Sequence, residues 1–165
     1  MHDLSYRLAK LGSMTMQEHL HLNLPEDGSG WPPFAAEEIL GEATGGDAYR
    51  VLTPPTFTDG IAVDDVVTTI LAEGDRWVTG VVTEGDHSTV RVIKMERGAQ
   101  SDKAELAGLG CNATEAPVAG MVAWDVPPSV NFHDVQAVLS SKAEAGDWDY
   151  DIGALGRTHQ EQATP

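Results

Sequence analysis

Apolar and polar residues alternate in short runs over the first half of the chain, which is the pattern of strands with one buried face. In the first run, Leu20, Leu22 and Leu24 alternate with polar residues that include His19 and His21. Further alternating or β-branched runs follow at residues 37–43, 48–52, 66–71, 76–83 and 88–95. Short strands of this kind predict an antiparallel β meander or partly closed barrel over residues 16–95.

Segments rich in glycine and acidic residues separate these runs and predict tight turns. Residues 44–47 join the second and third runs, and Pro54 and Pro55 end that hairpin because proline cannot donate to a central ladder. Residues 72–75 and 84–87 are two similar four-residue turns. We therefore expect residues 84–87 to form a hairpin turn.

After residue 95, strand and helix patterns alternate. Asp102 and Glu105 resemble a capping box for a helix that ends at Gly110, and Asn131 is the expected N-cap of an amphipathic helix that ends at Gly146. Strands are predicted at residues 112–116, 121–126 and 148–152. Together with the strand at 88–95, the order is β-α-β-β-α-β, the arrangement of ferredoxin-like domains.

The predicted fold class is therefore α+β, with an antiparallel β subdomain over residues 16–95 that leads into a ferredoxin-like βαββαβ unit over residues 88–155. The strand at 88–95 is expected to belong to both. Residues 1–15 carry leucines at helical spacing but form only a marginal helix alone, so we expect a flexible arm. The polar residues 156–165 are expected to be a disordered tail.

Charge is the strongest global signal. The chain has 10 Lys and Arg against 26 Asp and Glu, which gives a formal net charge of −16. This charge repels phosphate backbones and anionic membranes, so we expect no nucleic acid and no membrane as a partner, whereas a basic protein partner is attracted. The alternative is that the acidity serves solubility alone.

Several motifs are absent from the sequence. No apolar run is long enough to span a bilayer, and the first residues lack the apolar core of a secretory signal. The single cysteine excludes an internal disulfide and a cysteine-based zinc cluster. Glycine-rich phosphate loops are absent as well, so no cofactor is predicted. A cytoplasmic protein is the expectation.

His19 and His21 form a His-x-His pair on one face of the first predicted strand, a spacing that can chelate a metal ion. A complete site needs further ligands, which His87, His133 or an acid would have to supply. The alternative is that alternation alone explains both residues as the solvent face of a half-buried strand.

Asp147, Asp149 and Asp151 form an acidic stripe on the outer side of the last predicted strand, whereas Trp148, Tyr150 and Ile152 are expected to point inward. The stripe is a candidate surface for a basic partner. Because this strand would neighbour the one at 88–95, Arg91 is expected to pair with one of the aspartates. The alternative is a charged edge strand that blocks edge-to-edge association.

No catalytic residue is predicted. His87 and Ser88 are neighbours in one predicted turn, whereas a hydrolase triad needs residues that converge from separate elements. Cys111 follows the predicted helix end at Gly110, whereas helix N-termini are the ends that stabilise a thiolate. We therefore expect Cys111 to be a small core residue.

Five segments carry a family resemblance when they are taken together. They are residues 49–55 (YRVLTPP), 60–67 (GIAVDDVV), 87–92 (HSTVRV), 124–128 (WDVPP) and 146–150 (GDWDY). In this order and spacing they resemble DUF4265, a bacterial domain of unknown function, over residues 16–155. The family's usual Gly-Asp-Val-Val turn reads Asp-Asp-Val-Val at residues 64–67. The resemblance implies a small bacterial protein or module and carries no activity with it.

Three functions stay open on the sequence alone. The leading hypothesis is a binding module without catalysis that meets a basic protein partner through its acidic surface, for example an immunity or antitoxin-like inhibitor of a basic toxin. The second is a metal-dependent enzyme that uses His19 and His21. The third is a small-molecule sensor that binds in the barrel or between the subdomains.

Overall fold

The computed structural model describes residues 16–95 and 103–163, which form an α+β fold with two antiparallel sheets. The first half contains β1 (Gln17–Asn23), β2 (Ala36–Gly45), β3 (Ala48–Val51), β4 (Val66–Ala72) and β5 (Asp75–Thr83). The second half contains β6 (Ser88–Lys94), α1 (Ala104–Leu109), β7 (Asn112–Glu115), β8 (Met121–Val126), α2 (Phe132–Glu144), β9 (Trp148–Ala154) and α3 (Arg157–Ala163).

Strands β1 to β5 form a ring-like sheet in chain order, with antiparallel neighbours. A parallel pairing of β1 with β5 at His21 and Trp77 closes the ring. The alternation in the sequence places one side of each strand inside. The ring core consists of Leu20, Leu22, Ile39, Tyr49, Val51, Ile61 and Val67.

The second sheet has the strand order β7-β8-β6-β9 with antiparallel neighbours throughout. Helices α1 and α2 cover one face of it, and α2 begins at a capped residue because the Asn131 side chain accepts a hydrogen bond from the His133 amide at 2.9 Å. The core on this face is apolar. It contains Val90, Val92, Leu106, Val122, Trp124, Val126, Phe132, Val135, Leu139 and Trp148.

The connection from β5 to β6 differs from the prediction. Within the described strands, β6 pairs with β8 and β9 and not with β5, so residues 84–87 are a crossover between sheets and not a hairpin turn. The prediction that the strand at 88–95 belongs to both sheets is corrected with it. The reason is that the amide of Gly85 donates to Asp65, while His87 lies between Asp64 and Asp125, so the turn residues bind separate elements.

The two ends of the chain were predicted as a flexible arm and a disordered tail. The arm, residues 1–15, lies outside the described residues. Within the predicted tail, residues 157–163 form α3, which is anchored by the fully buried side chain of His159. This segment is too polar to predict a helix from its pattern, and the disorder prediction is corrected for these residues.

Two local predictions also change. The capping residue of α1 is Lys103, which makes no side-chain cap hydrogen bond, and Asp102 lies outside the described residues. Trp148 is buried as predicted, whereas Ile152 is 39% exposed because it lies on an edge strand, next to a register shift in the pairing of β6 with β9. No helix in residues 16–95 and 103–163 is long and apolar enough to cross a membrane.

Candidate functional site

A cleft of about 300 Å³ lies on the described surface where the second sheet meets segments of the ring. The sheet supplies the face that the helices leave open, and residues 24–35 and 52–65 supply the opposite wall. We call this depression the acidic cleft. It is lined by Trp31, Thr56, Phe57, Asp59, Arg91, Ile93, Met121, Asp149, Tyr150 and Asp151.

Arg91 on β6 is the centre of the acidic cleft. Its side chain is only 8% exposed, and its guanidinium contacts the Asp151 carboxylate through two donors, Nε at 2.7 Å and Nη2 at 3.0 Å. Nη2 also donates to Asp59 at 2.5 Å, and Nη1 donates to the carbonyl of Thr56 at 3.3 Å. The sequence-based pairing of Arg91 with an aspartate of the last strand is therefore confirmed, and the ring segment is a second partner.

The ion pairs of Arg91 offset the burial of its charge. Burial by itself would lower the pKa of Arg91, but the hydrogen bonds to Asp151 and Asp59 outweigh it and raise the pKa above its ordinary value. The partners differ from Arg91 in exposure, since the Asp151 and Asp59 side chains are mostly accessible. The cleft therefore has a buried cation at its base and carboxylates at its rim.

Glu37 holds the wall that carries Phe57 and Asp59. Its buried carboxylate accepts hydrogen bonds from the amides of Thr56, Phe57 and Thr58 at 2.7–2.9 Å and from the Thr58 hydroxyl at 2.8 Å. A carboxylate that gathers successive amides fixes the course of a loop without regular secondary structure. Glu37 thus positions the wall although it does not line the acidic cleft itself.

The same wall is tied to the second sheet by the backbone. The amide of Gly60 donates to the carbonyl of Gly153 at 2.9 Å, and the hydroxyl of Thr89 donates to the carbonyl of Ile61 at 3.2 Å. The backbone of β9 passes close to Arg91 at Gly153, where a Cβ would lie 3.2 Å from Cζ of Arg91. The cleft is therefore built by long-range contacts between the two sheets.

Aromatic side chains form the upper edge of the wall. The rings of Trp31 and Phe57 meet edge to face at a centroid distance of 5.8 Å. The ring of Phe34 is tilted against that of Phe57, with their centroids 5.9 Å apart. Trp31 is 46% exposed and Phe34 is 41% exposed. Exposed aromatic rings beside carboxylates are a combination suited to binding organic cations.

Two of the three predicted partner-binding aspartates, Asp149 and Asp151, line the acidic cleft, whereas Asp147 precedes β9 and is not part of its lining. Three carboxylates and one guanidinium line the cleft, so carboxylates exceed cations by two. Sequence reasoning missed Trp31, Phe57 and Asp59, which lie in segments without periodicity. A cluster of aromatic residues and prolines at 31–34 is the signal that was available.

The predicted metal ligands His19 and His21 lie together on the outside of β1. Nδ1 of each is 3.7–3.8 Å from a carboxylate oxygen of Glu38, and Nε2 of His21 is 3.5 Å from Asp75. In the part of the chain that the structure describes, no group of three or more His, Cys, Asp or Glu is arranged to hold a metal ion. The two histidines lie near acids of the neighbouring strands β2 and β5.

His87 lies at the junction of the two sheets. Its Nδ1 is 2.7 Å from Asp125 on β8, and its Nε2 is 3.1 Å from Asp64 in the ring segment. Ser88 turns away from it and bonds to Nδ1 of His159 at 2.6 Å, while the amide of Gly156 donates to the Ser88 hydroxyl at 2.8 Å. Because Ser88 and His159 are both fully buried, this pair anchors α3 and does not face a substrate.

Cys111 is a core residue, as predicted, and is 4% exposed. Burial and then the charge of Asp125 raise the pKa of the Cys111 thiol to about 11. A thiol with this pKa is almost entirely protonated at neutral pH and is a poor nucleophile. Cys111 is therefore not a candidate nucleophile.

The fold has a counterpart among solved structures. A chain described as "Novel crystal structure of a hypothetical protein from Neisseria gonorrhoeae" superimposes with a TM-score of 0.71 at 17% sequence identity. The match covers 86% of this chain and 96% of that chain. Because the sequence identity is low, the likeness concerns the fold alone. No curated protein matches the sequence significantly.

A family model matches residues 37–150, which are more than half of the chain. It includes most of the acidic cleft, whereas Trp31 and Asp151 lie outside the matched range. The family is described as a domain of unknown function. The sequence segments, the spacing and the family model agree, and the chain belongs to the DUF4265 family.

Proposed function

We propose that this protein is a binding module that recognises a basic segment of a protein partner in the acidic cleft. The observation that carries the proposal is the excess of carboxylates beside the exposed ring of Trp31 in one depression. Asp149 and Asp59 reach solvent there, and Trp31 offers a ring face or edge to an incoming side chain. The net charge of −16 steers a basic partner towards the whole surface.

The chemistry favours a lysine or arginine side chain over a neutral ligand. A guanidinium or ammonium group gains from the carboxylates and from the aromatic quadrupole, and each exposed contact is worth about 0.5–1 kcal/mol. Arg91 already occupies the base of the cleft and fixes Asp151 and Asp59 in place. The incoming cation therefore contacts carboxylates whose positions are set in advance, which lowers the entropic cost of binding.

An immunity or antitoxin-like inhibitor of a basic toxin is the concrete version of this function, and its cytoplasmic location stays a prediction.

We also propose that the second sheet and its helices form the ferredoxin-like unit expected from the sequence, with β6 and β8 as its central strands. The order β7-β8-β6-β9 supports this assignment.

The test is the binding of a fluorescein-labelled oligo-arginine peptide, followed by fluorescence anisotropy at low and at moderate salt. The wild-type protein is expected to bind it, with an affinity that falls as salt rises because exposed ion pairs are screened. D149N should weaken binding about threefold, as expected for the loss of one exposed ion pair. Trp31→Ala should weaken it about fivefold through the lost cation–aromatic contact.

The matched control is Glu161→Gln on α3, which removes one exposed charge on the helical side of the molecule. It changes the net charge by the same amount as D149N, so it reports the effect of overall charge alone. If E161Q and D149N weakened peptide binding equally, the acidic cleft would not be the recognition site and the proposal would be overturned.

A further inference from the structure

A second depression adjoins the acidic cleft on the other side of Phe57. It has a volume of about 340 Å³ and shares Thr56 and Phe57 with the acidic cleft. We call it the phenylalanine groove. Its lining consists of Phe34, Ala36, Glu37, Glu38, Thr56, Phe57 and Pro117.

We propose that the phenylalanine groove binds an apolar side chain of the same basic segment that the acidic cleft recognises. This inference rests on the proposed function and names the ligand more closely, as a linear segment in which a basic residue and a large apolar residue are near neighbours. Phe34 is 41% exposed and Phe57 forms the shared wall, so the groove presents apolar surface that a partner can cover.

The polar groups of the groove explain why an apolar occupant fits. The Glu37 carboxylate is buried and already accepts four hydrogen bonds from residues 56–58, so it is committed to the wall and not to a ligand. Glu38 is exposed at the rim, where its charge favours the same basic segment. The groove therefore combines an apolar interior with a negative surround.

The two depressions share Thr56 and Phe57, so one extended segment can reach both. In an extended chain, residues i and i+2 project to the same side about 6.6 Å apart. A basic residue and an apolar residue two positions apart can then enter the two depressions together. The expected motif is a basic residue, any residue, and a phenylalanine or leucine.

The experiment compares labelled peptides that differ only in the apolar position, with repeats of Arg-Gly-Phe, Arg-Gly-Ala and Gly-Gly-Phe. The Arg-Gly-Phe peptide is expected to bind about five- to tenfold more tightly than the Arg-Gly-Ala peptide, as partial burial of a phenylalanine predicts. Phe34→Ala should remove most of this difference while it leaves binding of the Arg-Gly-Ala peptide nearly unchanged.

Two further variants make the result specific. Ile70→Ala truncates an apolar residue that is 54% exposed on the ring, and it should leave both affinities as they are. Phe34→Leu keeps an apolar side chain at the same place and should retain most of the preference, which separates lost contact from a disturbed fold. Circular dichroism of all variants should match the wild type.

The outcomes distinguish this inference from the proposed function. Equal binding of the Arg-Gly-Phe and Arg-Gly-Ala peptides, with D149N still weakening both, would overturn the groove and leave the acidic cleft standing. Failure of both arginine peptides to bind would remove the proposed function and the groove together. A preference for phenylalanine that persists in F34A would place the apolar contact elsewhere and overturn the inference as well.

Discussion

The two faces of the second sheet are formed by alternate residues of the same strands, but one face is apolar and the other is polar and charged. On the face covered by α1 and α2, Val90 and Val92 pack with Trp124 in a continuous apolar core. On the other face, Thr89 and Arg91 are buried beneath residues 52–65. The first face is held by burial of apolar area, and the second by hydrogen bonds and ion pairs.

The difference teaches where a small protein can place a binding site. An apolar face is covered completely and offers little to a partner, because its stability depends on the exclusion of water. A charged residue such as Arg91 is buried only with matched partners, and those partners extend to the surface. On the polar face, the buried Arg91 is therefore connected through its carboxylate partners to the acidic cleft at the surface.

The largest expected effect is on the apolar face. Trp124→Ala should lower the free energy of unfolding by about 3–5 kcal/mol, because it removes a large side chain that is 2% exposed and leaves a cavity. Urea denaturation followed by far-UV circular dichroism measures it. I70A on the ring surface is the control and should stay within about 0.5 kcal/mol of wild type. A loss below about 1 kcal/mol for Trp124→Ala would contradict a tightly packed apolar face.

The second expected effect is on the polar face. Arg91→Ala should lower the free energy of unfolding by about 1–3 kcal/mol, since hydrogen bonds to charged partners are lost and Asp59 and Asp151 then repel each other. The loss is expected to be smaller than for Trp124→Ala because both carboxylates remain hydrated. Chemical denaturation of both variants under the same conditions gives the comparison.

Arg91→Lys is the matched control for this variant. It keeps the charge but lacks the planar fork that contacts Asp151 through two donors, so it should recover only part of the stability. Full recovery would mean that charge alone, and not the geometry of the guanidinium, holds the two sheets together. An Arg91→Ala loss as large as that of Trp124→Ala would remove the distinction between the two faces.

Sequence reasoning worked best where a single strand carried the information. Alternation correctly placed Trp148 inside and Asp149 and Asp151 on the other side of β9, and cross-strand pairing correctly gave Asp151 to Arg91. It could not show what covers that other side. The segment 52–65 has no period, and its position depends on contacts such as those of Glu37 and Gly60, which are distant in sequence.

The errors at residues 84–87 and 157–163 have the same physical origin. The residues that favour a turn act locally. A crossover between two sheets and a hairpin turn can therefore have the same composition, and the sequence does not distinguish them. The helix α3 lacks an apolar stripe, and its docking depends on the hydrogen bonds that the His159 ring makes with the Ser88 hydroxyl and with the carbonyl of Val130. Contacts between single polar groups leave no periodic signal in a sequence.

The third expected effect concerns Asp86, which ties the crossover to α3. Asp86 accepts hydrogen bonds from the hydroxyl and the amide of Thr158 at 2.5 and 2.8 Å, and these lower the pKa of Asp86 below its ordinary 3.8. Because the folded pKa is below the unfolded pKa, the stabilisation is fully present above about pH 4 and is lost as pH falls through the folded value.

Asp86→Asn should therefore lower the free energy of unfolding by about 1 kcal/mol near neutral pH and by less in acid. Denaturation of wild type and D86N at several pH values between neutral and acid measures this difference. Glu161→Gln on α3 removes one exposed carboxylate and serves as the control for net charge. A gap between wild type and D86N that widened in acid would contradict the assigned role of Asp86.

The smallest expected effect tests how closely the polar face is fitted. Gly153→Ala places a methyl group about 3.2 Å from Cζ of Arg91, and the flexible guanidinium can shift by a few tenths of an ångström, so the stability loss should stay below about 1 kcal/mol. The shift should nevertheless weaken the contact of Arg91 with Asp151, which the NMR signal of the Arg91 Nε–H reports. In the double variant with Arg91→Ala the clash has no partner, so G153A should become neutral there. If G153A lowered the free energy of unfolding equally with and without Arg91, the strain would lie in the backbone of β9. Arg91 would then be packed less tightly than the side chains of the apolar face.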